Sequence, residues 1–305
     1  MFEETLGRRR FGSLTEEQAR QFIARGHVVI RGAIPRERVE AWTAQVWTRL
    51  GYSEKDPATW AQSRIHMPSH NRLPVEELSP AAWAAICDLC GGAERVKRPS
   101  VWGDGFIVNL GAEDHADTWE PPSPEVRGWH KDGDWFKHFL DSPEQGLLTI
   151  VLWSDVVPRG GATFIAEDSV APVARFLAAH PEGVLPGGFD FAGMIRECSR
   201  FAEATGEAGD VYLIHPYLLH ASSKNALRRP RLITNPAVIL EEPLRFDRED
   251  PDDFSLVELA VLNALGAERL EFRPTTARER VIPERERIQA RMLAEEKARL
   301  SLQPG

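Results

Sequence analysis

The sequence predicts an all-β core with flanking helices, an α+β chain whose centre is a sandwich or jelly roll. Three observations carry this expectation. From Val101 to about residue 240 the chain runs in short apolar stretches broken by Gly, Pro, Asn and Asp, the pattern of many brief strands. Ahead of that region lie segments with helical spacing, and behind it comes a tail of mixed charge with i,i+4 pairs. No internal repeat or low-complexity linker interrupts the 305 residues, so one domain is expected: helices over 13–100, the core over about 101–240, and a helical extension over 241–305.

Taken in order, Ser13-Leu14-Thr15-Glu16 fits a capping box opening a helix that Gly26 ends. Val28–Ile30 reads as a buried strand. A helix opened by Pro35 carries Val39, Trp42, Val46 and Leu50 on one face as far as Leu50. Residues 51–80 show little periodicity; Pro68 between His66 and His70 places that pair in a loop, at the surface or lining a pocket. A helix is expected over Ala81–Cys90. Strands are expected over Gly105–Leu110, Leu147–Trp153, Ala162–Ile165, Asp210–His215 and Arg231–Asn235, with a helix near Ala171–His180. In the tail, Arg278–Arg280 and Pro283–Arg287 read as solvated helix faces, with a dimer contact or a lid as the alternative.

Composition excludes several function classes. A hydrophobic fraction of 42% and a charged fraction of 27% are those of an ordinary globular protein. The net charge of −9 argues against nucleic acid or an anionic membrane as a partner. No apolar run reaches the roughly 18 residues of a membrane span, and Met1–Arg10 is too polar for a signal peptide. The expectation is a cytoplasmic protein acting on a small molecule, with a homodimer open. Three cysteines make no disulfide framework, and Cys87-Asp88-Leu89-Cys90 reads as small residues buried on a helix.

The chemistry is expected at Gly128-Trp129-His130-Lys131-Asp132-Gly133. On an extended segment His130 and Asp132 point to the same side and can serve one metal ion. Two histidines and a carboxylate suit a ferrous ion with open coordination positions. His220, after the Gly209–Ile214 run, is the candidate third ligand; His215 competes for that place, and Asp134 for that of Asp132. His138, Trp135 and His66 are candidates for the substrate pocket. Asn109 and Thr149 are candidate hydrogen-bonding groups and Trp153 a core or cofactor-wall residue.

In combination these pieces resemble the phytanoyl-CoA dioxygenase family of iron(II)- and 2-oxoglutarate-dependent oxygenases. The similarity spans roughly residues 14–240. It rests on Gly26–Gly32, Trp129–Gly133, Trp153–Val156 before Gly160-Gly161-Ala162, Gly209–Val211, and His220–Ser223 closing on Arg231. The resemblance implies a double-stranded β-helix (a jelly-roll, cupin-like core). It implies Fe(II) on His130, Asp132 and His220. It also implies 2-oxoglutarate held by Arg231, eleven positions after His220, with Thr149, Asn109 and Trp153 nearby. O2 would be the oxidant, and 2-oxoglutarate would be decarboxylated to succinate as an unactivated C–H is hydroxylated. Arg228 and Arg229 compete with Arg231, and Asn225 is read as a structural cap. A non-catalytic metal-binding module and a zinc-dependent cupin-type hydrolase are the competing classes. Substrate choice is expected of His66–Arg72, Asp104-Gly105, Trp135–His138, the tail, and an Ala112–Arg127 loop read as a lid.

Overall fold

The computed structural model describes residues 6–301. The strands, in chain order, begin with β1 (His27–Ile30), β2 (Arg64–His66), β3 (Arg72–Pro74) and β4 (Val101–Gly103). Next come β5 (Ile107–Asn109), β6 (Leu147–Leu152), β7 (Thr163–Ala166) and β8 (Phe201–Ala204). The last are β9 (Val211–Ile214), β10 (His220–Ser222), β11 (Arg231–Thr234) and β12 (Ala237–Val238). A seven-stranded antiparallel sheet runs β1-β9-β6-β11-β5-β2, with β12 also paired to β6. A three-stranded sheet runs β10-β7-β8, and β3 pairs β4. The two larger sheets are tied together by Asn109 Nδ2 donating to Ser223 O at 3.1 Å and Arg231 Nε donating to Gly161 O at 2.8 Å.

Register decides which residues share a face. Arg64 and Arg231 both lie opposite Asn109, while His66 and Ile233 both lie opposite Ile107; Ile233 also faces Leu152. With side chains alternating along each strand, Arg64, His66, Ile107, Asn109 and Arg231 occupy one face. Thr149, Val151 and Thr234 occupy the other. That second face is covered by helices: Trp153 stacks on Trp42 at 5.3 Å and Phe106 meets its edge.

The helices follow from local signals, with corrections. The first spans Glu16–Arg25, and its capping box is Thr15 with Gln18, not Ser13 with Glu16. The Asp88 carboxylate takes the Gly12, Ser13 and Leu14 amides instead, which leaves Thr15 to cap the helix. The expected helix from Pro35 to Leu50 is two, Arg36–Thr43 and Val46–Leu50, because Gln45 leaves helical geometry at φ −102, ψ 5. Helices at Pro80–Cys90 and Val170–Ala178 lie where expected. Cys87 and Cys90 are free thiols on the former, and burial raises the pKa of both.

The tail departs furthest from expectation. Leu256–Leu265 is a core helix, capped by Ser255 and Glu258 and buried from Leu256 to Leu262. Arg278–Arg280 is not helical. It runs as a strap along the ligand-bearing segment, with Lys137 N donating to Glu279 O at 2.9 Å and Val281 N to Trp135 O at 2.8 Å. The final helix, Arg285–Ser301, has Glu284, Glu286 and Arg287 exposed at its start as expected, yet its Glu296 is only 1% exposed. Glu296 accepts from Arg49 Nε at 2.8 Å and faces His70 Nε2 at 2.9 Å; Arg49 also pairs with Asp104 at 3.3 Å. This buried cluster pins the helix to the body of the protein. None of the described helices is long and apolar enough to cross a membrane.

Candidate metal centre

His130 pairs His220 through two backbone hydrogen bonds, His130 N to His220 O at 3.0 Å and His220 N to His130 O at 2.9 Å. The 128–135 segment is otherwise irregular, so the isolated bridge, not a strand, holds His130 in place. The pairing sets the two imidazoles side by side, ring centroids 4.4 Å apart. Asp132 lies two residues on, and its Oδ1 sits 3.4 Å from His130 Nε2 and 3.5 Å from His220 Nε2. These three residues form the one candidate metal-holding group of histidine, cysteine or acidic side chains among the described residues.

Each ligand is oriented by a second contact. His130 Nδ1 donates to Gly128 O at 2.8 Å and His220 Nδ1 to Leu218 O at 3.2 Å, which leaves both Nε2 atoms for an ion. Asn235 Nδ2 donates to Asp132 Oδ2 at 2.7 Å. Burial alone would raise the pKa of Asp132, but the two imidazoles hold it well below the usual carboxylate range. Burial opposes protonation of His130, while Asp132 and the Gly128 carbonyl outweigh it and raise its pKa.

The competitors for these places are otherwise engaged. His215 is fully buried; its Nε2 donates to Val257 O at 3.3 Å, its Nδ1 accepts from Tyr217 N at 3.1 Å, and burial pushes it down to about 3. Asp134 is forked by Arg285, Nε to Oδ2 at 2.7 Å and Nη2 to Oδ1 at 2.8 Å.

The centre opens into a cavity of about 340 Å³. His66, Trp135 and His138 all line it, as do Lys131, Asn235 and Arg285. Phe189 and Phe191, stacked at 5.0 Å, give it an aromatic wall. Lys131 is buried, its Nζ donating to His138 Nδ1 at 2.8 Å, and burial brings its pKa down to about 7. His138 Nε2 donates to Gly133 O at 2.7 Å. Gly133 has φ +124, and a Cβ there would lie 2.4 Å from the His138 ring, so close passage of backbone to imidazole requires glycine.

The expected co-substrate residues separate into two groups. Arg231 and Asn109 lie on the face that carries the centre. Arg231 is 1% exposed, and its buried Nη2 has no hydrogen-bond partner among the described residues. Burial, with the Arg64 charge nearby, lowers its pKa to about 9. Asn109 has both amide ends committed, to Ser223 O and to Gly111 N. Thr149 and Trp153 lie on the opposite face, Trp153 in the core. Thr149 Oγ1 donates to Pro236 O at 2.7 Å and Trp153 Nε1 to Thr234 Oγ1 at 2.9 Å, against the helix layer. β11 runs between β5, which carries Asn109, and β6, which carries Thr149. Asn225 is a buried cap, donating to Asn109 O and Arg229 O.

The Ala112–Arg127 loop contributes no residue to the cavity. It packs on the 224–229 turn, where Lys224 Nζ donates to Thr118 O at 2.9 Å and Arg228 lies 3.9 Å from Glu113. Pro186, Phe189, Phe191 and Arg285 of the tail line it instead. Arg285, Lys131 and Asn235 had escaped the sequence reading. For Asn235 a signal exists: alternation along β11 from Arg231 through Ile233 puts it on the site face.

No family model matches the chain, and no curated protein matches it in sequence. Among solved structures it is similar to the non-heme alpha-ketoglutarate-dependent carbocyclase SnoK from nogalamycin biosynthesis. The identity is 16%, over 74% of this chain and 84% of that one, with a TM-score of 0.45. It is also similar to HygX from Streptomyces hygroscopicus, solved with nickel, 2-oxoglutarate and hygromycin B bound (18% identity, 73% and 86% covered, TM-score 0.38). A third is the non-heme monooxygenase ThoJ, solved as a nickel complex (15% identity, 93% and 97% covered, TM-score 0.41).

Proposed function

We propose that this chain is a non-heme iron(II) oxygenase, built on a jelly-roll core, that uses 2-oxoglutarate and O2 to hydroxylate a small molecule in the cytoplasm. The observation that carries the reading is the meeting of His130 Nε2 and His220 Nε2 on one oxygen of Asp132 at 3.4 and 3.5 Å, beside an open cavity. Two imidazoles and one carboxylate on one side of an ion leave its other positions open, as a ferrous oxygenase centre needs. The surroundings fit the co-substrate as well. Among the described residues Arg231 Nη2 is buried without a partner, and no carboxylate lies within ion-pair distance of the guanidinium. The distal carboxylate of 2-oxoglutarate would supply both, in the forked geometry that arginine favours.

Iron, 2-oxoglutarate and O2 would together supply the oxidising chemistry, one oxygen atom of O2 ending in succinate as 2-oxoglutarate loses CO2 and the other in the hydroxylated product. The chain's own residues do the rest. Gly128 and Leu218 carbonyls fix the imidazole tautomers, and Asn235 holds the Asp132 plane. Phe189, Phe191 and Trp135 give the cavity an aromatic wall against which an apolar part of a substrate would pack. The retained carboxylate at Asp132 favours hydroxylation over halogenation, in which chloride would occupy that place.

The test is anaerobic addition of Fe(II) and 2-oxoglutarate, read by the weak visible charge-transfer band of the chelate. A band in the wild type that fades in Asp132→Ala and Arg231→Ala supports the proposal. Zinc in the purified protein and no band with iron would replace it with the hydrolase or the non-catalytic module.

A further inference from the structure

From Lys131 to Asp134 the segment that carries the candidate ligands is neither helix nor strand, so its backbone needs another support. Two buried side chains provide it. Lys131 Nζ donates to Asp132 O at 3.0 Å and His138 Nε2 to Gly133 O at 2.7 Å, so side chains hold two successive carbonyls of the segment. The pair is joined as well, Lys131 Nζ donating to His138 Nδ1 at 2.8 Å. An imidazole that accepts at Nδ1 carries its proton at Nε2, the atom that faces the Gly133 carbonyl. Gln145 Oε1, 3.4 Å from Nζ, gives the amine its third acceptor.

This bridge is anchored outside the segment. His138 N donates to Val184 O and Val184 N to His138 O, both at 2.8 Å. The His138 ring stands perpendicular to that of Phe189, centroids 5.1 Å apart. Lys131 is 7% exposed and His138 2%, and among the described residues no carboxylate lies within ion-pair distance of Lys131. Burying an amine without a counter-charge costs free energy that an apolar side chain would not. Packing alone therefore does not account for Lys131; its contacts to the ligand segment do.

We propose that Lys131 and His138 are positioning residues of the metal centre, setting the Asp132 backbone so that its carboxylate meets both imidazoles. Both ring nitrogens of His138 and the amine of Lys131 are engaged, so neither residue is a ligand and both act through Asp132. Asn235 holds Asp132 from its carboxylate end, and the bridge holds it from the peptide. The assignment rests on the metal-binding part of the reading above and not on the co-substrate.

The experiment is a Co(II) titration of the apoprotein, read by the visible absorption of the bound ion and run as a double-mutant cycle with Asp132→Ala. Lys131→Met and His138→Phe should each weaken Co(II) binding by about 10–100-fold in the wild-type background, the range for groups that orient metal ligands. In the Asp132→Ala background the same changes should cost less than about twofold, because the carboxylate they position is gone. His138→Gln keeps a donor for Gly133 O and should recover most of the affinity and the wild-type band shape. Melting temperatures of the apoproteins report the fold separately, and the two His138 variants decide if Lys131→Met folds poorly. Unchanged affinity in both Lys131→Met and His138→Phe would overturn the proposal. So would an equal loss in the Asp132→Ala background, which would make the bridge a structural support only. Wild-type protein that binds no Co(II) would remove the metal centre, and the positioning role with it. Coupled losses in the cycle, with no band from Fe(II) and 2-oxoglutarate, would support the positioning role while overturning the oxygenase reading.

Discussion

Asn235 donates to the Oδ2 atom of Asp132 at 2.7 Å, which leaves Oδ1 as the oxygen that meets both histidines. The amide therefore selects which carboxylate oxygen faces an ion. Partners of this kind typically set metal affinity by 10–100-fold. Asn235→Ala should lower Fe(II) or Co(II) affinity by roughly that factor in a binding isotherm, with the fold unchanged by circular dichroism. An unaltered isotherm would show that the two imidazoles alone fix the carboxylate.

Stability should fall as pH falls below about 6.5, and His215 is one cause. Its pKa is depressed to about 3 by burial, against about 6.5 in the unfolded chain. Between those values the unfolded state binds the proton and the folded state does not, so acid favours unfolding. By pH 5 this one group contributes about 2 kcal/mol of lost stability. Melting temperatures from pH 7.5 to 4.5 should decline, and His215→Gln should flatten the decline. An equal slope in that variant would assign the acid limb to other groups.

Glu296→Ala should cost about 3 kcal/mol, since it strips one partner from the buried Arg49 and from His70. Arg49 keeps Asp104, which holds the loss toward the low end of the range. The carboxy-terminal helix should then be cut by protease faster than the rest of the chain. Uniform resistance would mean that the helix is held by its other contacts.

Gly161 has φ +80, and an added Cβ would lie 2.7 Å from Asn109 Nδ2 and 2.9 Å from Asn225 Cβ. Its carbonyl also accepts from Arg231 Nε. Gly161→Ala should destabilise by about 1–3 kcal/mol and also weaken 2-oxoglutarate binding, through displacement of the Arg231 acceptor. Urea denaturation and the chelate titration would read the two effects separately.

The His130–Asp132 pair was legible because its geometry is local, and His220 because of the run that precedes it. His130 and Asp132 are two apart, and His220 sits at the end of an apolar run marked by Gly209-Asp210. The face that Thr149 and Trp153 occupy was hidden for a reason of parity. A strand shows its alternation in sequence but not which of its two faces is inward, and a shift of one residue exchanges them. Both faces of β6 are buried, so no polar stripe marks the outer one. Lys131 and Arg285 were illegible for a different reason. Each acquires its meaning from a partner elsewhere: His138 beyond a turn, Asp134 across some 150 residues. The tail misled because its mixed charges look the same whether they face water or, as Glu296 does, close a buried cluster.

The pairing of His130 with His220 has a thermodynamic consequence. Residues 90 positions apart are joined by two peptide hydrogen bonds, so the entropy of closing that loop is lost when the chain folds, not when an ion arrives. An incoming cation has only three short side chains left to order. The apoprotein should therefore fold without metal and survive repeated chelation and reloading, in contrast to domains that unravel when stripped. The centre is a socket in a finished frame.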